Sequence, residues 1–222
     1  MEEKKIDELY SILKEKSFGE MIDELISSND DGRAVLNDFV ELGEFFLDKG
    51  DIRTGLRIME KGRLFAEENC DEEGKMYMYN NIAYSIASHY EDHDEIKDSE
   101  LKRAREYSAL IIEFWESEDR KGSVKAKYLG QGYWLRGYIH FLFEEYEKGI
   151  KPLEKSVELY ESCGLEHQKA LSLMHLAYCY YYIDREEHTE TIAELLEDAR
   201  DIFMDSDDAD GLSEIEEFLE EF

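Results

Sequence analysis

His89 and His93 stand four residues apart in the run HYEDHDE, a spacing that on a helix would put both imidazoles on one face within reach of a divalent cation. A zinc protease helix carries Glu directly after its first His. Here Tyr90 holds that place, and no third ligand can be picked out. The pair therefore reads as two solvent-facing histidines in an acidic insert, and no metal ligand is assigned. Ser206-x-Asp208-x-Asp210-Gly211-x5-Glu217 nearly spells a calcium loop, but its first position, which wants Asp, is Ser. Ser213 also falls where such loops carry an apolar residue. Ser27-x-Asn29-x-Asp31-Gly32-x5-Asp38 is a poorer echo. Both fit an ordinary turn between helices equally well.

The sequence holds no Gly-rich phosphate loop, no Gly-x-Ser-x-Gly elbow and no deaminase-type cysteine pair. With 56 acidic residues, any chosen acid–base pair of carboxylates would be arbitrary. No catalytic residue and no cofactor is assigned, and the expectation is a protein that is not an enzyme.

Net charge is −30, from 26 basic and 56 acidic residues. That argues against nucleic acid and anionic membrane as partners, because phosphate surfaces reward clustered Lys and Arg. It suits a solvated outer surface and neutral to basic protein or peptide partners. Cys70, Cys163 and Cys179 are odd in number and lack metal-knuckle or redox spacing. MEEKKIDELY shows no secretory signal, so free thiols in a reducing cytoplasm are expected. There is no run of about 18 uncharged apolar residues, the length needed to span a membrane, so no membrane-spanning helix is expected.

The elements that would position any site are helices. Forty-two per cent of the 222 residues are apolar, there is one proline, and no β-branched run is bounded by turn signals. Ile6, Leu9, Tyr10 and Leu13, then Met21, Ile22, Leu25 and Ile26, form two short stripes that predict capping helices over 1–29. A repeated unit follows. Phe39, Leu42, Gly43 and Phe46 share one face; a break at Lys49-Gly50-Asp51 leads to a second helix marked by Gly55, Met59 and Gly62. Tyr79, Ile82, Ala83 and Ile86 repeat the first-helix pattern. The stretch from Gly137 to Glu161 repeats both helices, with Gly149, Leu153, Ser156 and Val157 on the second. Leu173, Leu176, Ala177 and Tyr180 begin a fourth copy, completed by Ile192, Leu196 and Ala199. The small residues at 43, 83, 137 and 177 are spaced by 40, 54 and 40. Two helices per unit at a period near 40 is a solenoid signature. Leu212, Ile215, Phe218 and Leu219 predict a final capping helix over 206–222.

These motifs resemble the tetratricopeptide repeat (TPR), and are most similar to the longer repeats of about 40 residues found in maltose-regulator-type activators and bacterial peptide-receptor regulators. Leu176-Ala177-x-x-Tyr180 matches the first-helix core, and residues 50–68 and 146–160 match the second helix. The loops 69–74 and 118–122 resemble the linkers of such repeats. The resemblance implies an all-α, right-handed superhelical array of four antiparallel helix pairs, at about 30–70, 71–119, 120–163 and 164–205. The chain departs from the pattern in several places. About 14 extra residues fall between repeats two and three, either in 89–100 or in the first helix of repeat three. There Leu129-Gly130-x-x-Tyr133 also fits the motif, two turns before Gly137, and predicts one long helix from about Ser123 to Phe143. Arg136 and His140 stand where the family is apolar. Pro152 should kink the second helix or delay its start, and about three extra residues lie near Arg185 to Thr189.

In this family the first helices line a concave groove. The resemblance places there Asn37, Val40, Glu41, Glu44, Leu47 and Asp48 from repeat one, and Tyr77, Asn80, Asn81, Tyr84, Ala87 and Ser88 from repeat two. Gln131, Trp134, Leu135, Tyr138, Phe141 and Leu142 come from repeat three, and Leu171, Met174, His175, Tyr178, Tyr181 and Tyr182 from repeat four. The ligand-groove candidates are Asn80, Asn81, Tyr84, Gln131, Trp134, Tyr138, Phe141, His175, Tyr178, Tyr181 and Tyr182. Tyr and Trp offer rigid area with a polar tip, and Asn can hold a peptide backbone. Equally, each Tyr could pack the inner layer or meet the terminal helix. No Lys or Arg falls at these positions, which disfavours acidic peptide tails. The implied function is a non-enzymatic protein- or peptide-binding adaptor or regulatory module. The alternative is a homo-oligomeric module whose groove or end helix is filled by a second copy.

Overall fold

Among the described residues, each apolar stripe at helical spacing is a helix. The protein is seen in a computed structural model that describes residues 17–27, 31–90, 96–119 and 122–221, and these residues form ten α-helices. They are α1 (Phe18–Ser27), α2 (Gly32–Asp48), α3 (Ile52–Asn69), α4 (Glu72–Ser88), α5 (Asp98–Ser117), α6 (Ser123–Leu142), α7 (Tyr146–Cys163), α8 (Glu166–Asp184), α9 (Thr189–Asp205) and α10 (Ala209–Glu221). The stripe at Ile6 to Leu13 lies outside the described residues. From α1 to α4 and from α6 to α10 each helix packs antiparallel on the next, so the protein is all-α with the order of a TPR-like array.

Part of the acidic excess does a local job at helix starts. Asp31, Asp51, Asp71 and Asp208 accept from the first-turn amides of Arg33, Thr54, Gly74 and Gly211 at 2.9, 3.1, 2.9 and 3.1 Å. Each cap satisfies an amide that has no partner inside its own helix. Helix ends repeat as well. After α2 the turn passes through Gly50 at φ +77°, and after α6 through Glu144 at φ +56°. In both turns the following amide reaches back to the helix, Asp51 to Phe46 O and Glu145 to His140 O, each at 2.9 Å. Gly adopts this left-handed conformation without penalty, whereas Glu144 carries a Cβ that resists it.

The chain divides into two units, Met1–Tyr107 and Ser108–Phe222, with the boundary inside α5. In the first, Met21 and Leu25 of α1, Leu36 and Phe39 of α2, Ile58 and Ala66 of α3 and Met78 of α4 close one core. In the second, Met174 and Ala177 of α8, Leu196 and Phe203 of α9 and Ile215 of α10 form another. Leu153, Leu176 and Cys179 join α7 to α8 beside it.

The small residues are where two helices of a pair nearly touch. A Cβ on Gly43 would lie 2.5 Å from Met59 Cγ, and one on Gly55 2.7 Å from the Gly43 carbonyl oxygen. In the second unit a Cβ on Gly137 would lie 2.5 Å from Leu153 Cγ, and one on Gly149 3.2 Å from the Gly137 oxygen. The same pair of glycines, twelve residues apart, therefore sets the same approach in both units. Gly130, two turns before Gly137, meets the ring of Tyr160, so both face α7. Two buried hydroxyls meet there: Ser156 Oγ lies 3.1 Å from Gly130 O and 2.9 Å from Ser172 Oγ, and its single proton serves one of them. Ser172 Oγ in turn reaches Gln168 O at 2.9 Å.

Helix bounds locate the departures from the repeat. α6 runs as one helix over Ser123–Leu142. Pro152 lies inside α7, whose start at Tyr146 is not delayed. Gly43 stands nine residues before Ile52 and Gly137 nine before Tyr146, but Ala177 twelve before Thr189. Two of those three extra residues lengthen α8 and one lengthens its turn. The longer spacing between repeats two and three is shared among the segment before α5, α5 itself and the lead-in to Gly137. Arg136 is exposed, and His140 Nδ1 sits 2.7 Å from Glu145 Oε2, so these two departures are spent on solvent and on the turn.

Candidate functional site: an aromatic surface on α6 and α8

On α6, Trp134, Tyr138 and Phe141 follow each other at helical spacing, and their rings stack in sequence. The centroids lie 5.3 Å apart for Trp134–Tyr138 and 6.3 Å for Tyr138–Phe141. Across from them on α8, His175 presents its ring edge-on to Tyr138 at 4.6 Å and to Trp134 at 5.7 Å. His175 is buried, and its Nδ1 lies 2.6 Å from Leu171 O, which assigns the proton to that nitrogen. Burial among rings penalises the imidazolium and pushes the His175 pKa down to about 4. At neutral pH this histidine is an uncharged packing element.

Tyr182 extends the surface. It stacks on Tyr146 at 4.9 Å and contacts Phe141 at 5.8 Å, yet stays 50% exposed. Tyr146 comes from the start of a second helix, so the family's groove positions did not include it; its place one turn after the Gly137 helix in an aromatic-rich stretch was the available signal. Tyr178 and Tyr181 go the other way. Phe218 of α10 covers them, with ring centroids at 4.3 and 4.9 Å, and Tyr178 is buried. For Tyr178 the packing role against the terminal helix is the one the geometry gives. Burial and the nearby Glu214 carboxylate hold its phenol far above the usual range, so it stays neutral. Gln131, one turn before Trp134 and Leu135, has a buried Oε1 with no hydrogen-bond partner among the described residues. Such an acceptor costs about 1–3 kcal/mol while unpaired, and a donor brought by a ligand would recover it.

The candidates of repeat two belong to the first unit and have their own surroundings. Tyr84 is 46% exposed. Asn81 donates its Nδ2 to Tyr77 O at 2.7 Å, one turn back on its own helix, so that donor is used. Asn80 Oδ1 is buried without a partner among the described residues. Arg33 lies over the Tyr77 ring at 4.0 Å.

The described residues of the metal-like motifs serve in caps, turns and packing. His89 ends α4, its Nδ1 3.0 Å from Ser85 O; His93 lies outside the described residues. Asp208 caps α10 and also meets His167 Nε2 at 3.2 Å. Ser206 Oγ bonds to the Ile202 carbonyl at 2.9 Å. Gly211 is a helical residue pressed against the Phe203 ring, not the turn glycine of a calcium loop. In the echo at 27–38, Asp31 is an N-cap and Asp38 is buried, while Asn29 lies outside the described residues. Among the described residues no three His, Cys, Asp or Glu side chains gather as a metal site. Cys70, Cys163 and Cys179 carry free thiols, and no described helix is long and apolar enough to cross a membrane.

The chain matches no family model, and a search of curated proteins finds no match either. Solved structures do match. One is the crystal structure of a Signal Transduction ATPase with Numerous Domains protein with a tetratricopeptide repeat sensor, from Pyrococcus horikoshii. The superposition has a TM-score of 0.61 at 17% identity and covers 95% of this chain. The chain spans 31% of the length of that protein. At this identity the likeness concerns the fold: a TPR-like helical array.

Proposed function

We propose that the chain is a regulatory or adaptor module that binds a protein or peptide through the aromatic surface on α6 and α8, without catalysis. The observation that carries the reading is the half-exposed Tyr182 on the ring cluster shared by α6 and α8, supported by a buried, unpartnered Gln131 acceptor one turn before Trp134 on α6. Rigid aromatic area supplies contact at low entropy cost, and a backbone N–H of an extended segment would satisfy Gln131. The net charge of −30 selects a neutral to basic segment. The likeness to a sensor-bearing protein supports the fold class that such modules use; the ATPase activity in its name belongs to that protein.

Peptides selected from a displayed library on the immobilised protein provide the test. Affinity of the selected peptides should fall by about 1–2 kcal/mol in Tyr182→Ala, as for other hot-spot aromatics, and also fall in Gln131→Ala. Unchanged affinity in both variants refutes the reading. So does a concentration-dependent dimer in which Tyr182 is protected, which would make a second copy of the chain the occupant.

A further inference from the structure

The first unit contains a cleft of about 760 Å³ between α3 and the start of α5. Its size falls within the roughly 300–1,000 Å³ of small-molecule sites. Its charge is opposite to that of the protein. Arg53, Arg57, Lys97 and Arg103 line it against Glu60 and Glu100, on a chain whose net charge is −30.

Both carboxylates are already engaged. Glu60 Oε2 accepts from Arg63 Nε at 2.6 Å, and its Oε1 accepts from Arg103 Nη1 at 3.2 Å and from Tyr107 Oη at 3.3 Å. Glu100 Oε2 accepts from Ser99 Oγ at 2.6 Å. The three arginines are less completely matched. Arg53 and Arg57 make no ion pair with a described residue; Arg57 lies over the Phe18 ring at 3.8 Å. Arg103 spends one nitrogen on Glu60, while its buried Nε–H has no acceptor among the described residues. A buried donor of a charged group left unpaired is costly, and an arginine fork presents adjacent donors in the geometry that a carboxylate or phosphate accepts. Ile52 and Leu56 supply an apolar wall beside the charges.

We propose that this cleft binds a small organic anion carrying two negative charges on clustered oxygens, a phosphate monoester or a dicarboxylate, with its apolar part against Ile52 and Leu56. The net charge decides for a small ligand over a polyanion. Fields are screened within about 8 Å at physiological ionic strength, so a small anion answers to the local cations. A nucleic acid or a membrane would bring the rest of its charge against an acidic surface. Both walls are second helices of their pairs, so these residues are a different set from the first-helix groove. The site stands whether or not the aromatic surface of the second unit binds a peptide.

Isothermal titration of the full chain with phenyl phosphate and, separately, with phthalate tests this; benzyl alcohol is the uncharged control. At least one anion should bind saturably, the tighter one identifying the preferred head group, and benzyl alcohol should not bind. Arg53→Gln/Arg57→Gln should weaken binding about tenfold, a loss on the scale of one charge-assisted hydrogen bond, with helicity checked by circular dichroism. Arg53→Gln alone, at an exposed side chain, should weaken it in the same direction even if the double variant loses the Phe18 contact and folds poorly. Lys151→Gln/Lys155→Gln removes equal charge from α7 and should leave affinity unchanged. Absence of saturable binding by either anion overturns the proposal, as does an equal loss in the α7 variant, which would mean bulk electrostatics alone.

Discussion

His175 should make the second unit sensitive to mild acid. Folded, its pKa is about 4, because the ring is buried among Trp134, Tyr138 and Phe141. Unfolded, it returns to about 6.5. Above the unfolded value both states are neutral and the group is silent. As pH falls below about 6.5 the unfolded chain takes up a proton that the folded chain refuses, so stability falls by about 1.4 kcal/mol per pH unit. The loss should reach about 2 kcal/mol at pH 5 and level off at about 3 kcal/mol near pH 4. Urea unfolding at pH 7 and pH 5 measures it. Both tryptophans, Trp115 and Trp134, belong to the second unit, so their fluorescence reports the unit that holds His175. His175→Phe removes the proton site while keeping an aromatic ring. Carboxylate titration is common to both proteins and cancels in the difference. The wild type should lose about 2 kcal/mol more than the variant between pH 7 and pH 5. Equal losses, or a His175 ring proton signal titrating near 6.5 in the folded protein, would refute the reasoning.

Gly137→Ala should destabilise by about 1–3 kcal/mol, since its Cβ would lie 2.5 Å from Cγ of fully buried Leu153. Gly43→Ala meets the unbranched Met59 and should cost less; thermal denaturation of the two variants gives the ranking. Glu144→Gly should stabilise by about 0.5–1 kcal/mol by relieving a left-handed non-glycine turn, seen as a higher urea midpoint. Leu176→Ala should cost about 2–5 kcal/mol, while Tyr182→Ala, half exposed, should leave the unfolding midpoint nearly unchanged. Adding salt from low ionic strength should raise the melting temperature by screening the acidic surface; a falling midpoint would show that the charges are paired instead.

Much of the fold was legible because close helix approach needs a small residue at a fixed place. Gly43 and Gly137 announced their contacts with Met59 and Leu153 through phase alone, and the helix breaks at Gly50 and Glu144 followed seven residues later. The candidate surface was legible only where a first-helix position decides exposure, as at Trp134, Tyr138 and Tyr182. It was not legible where a helix distant in sequence does the covering. Phe218 reaches Tyr178 across about 40 residues of chain, and no local pattern records which face a terminal helix will choose.

The sequence by itself determined the helical class, the repeat and the acidic balance, since periodicity, small-residue spacing and composition are local or additive properties. Only the tertiary structure decided what charges and rings do in company. It turned the calcium-like Asp208 into a helix cap, drew His175 into a cage of rings that keeps it neutral, and brought Arg53 and Arg57 of α3 beside Arg103 of α5 and Lys97 just before it. These outcomes depend on which helix faces pack together, and desolvation and Coulomb energy act through that spatial proximity.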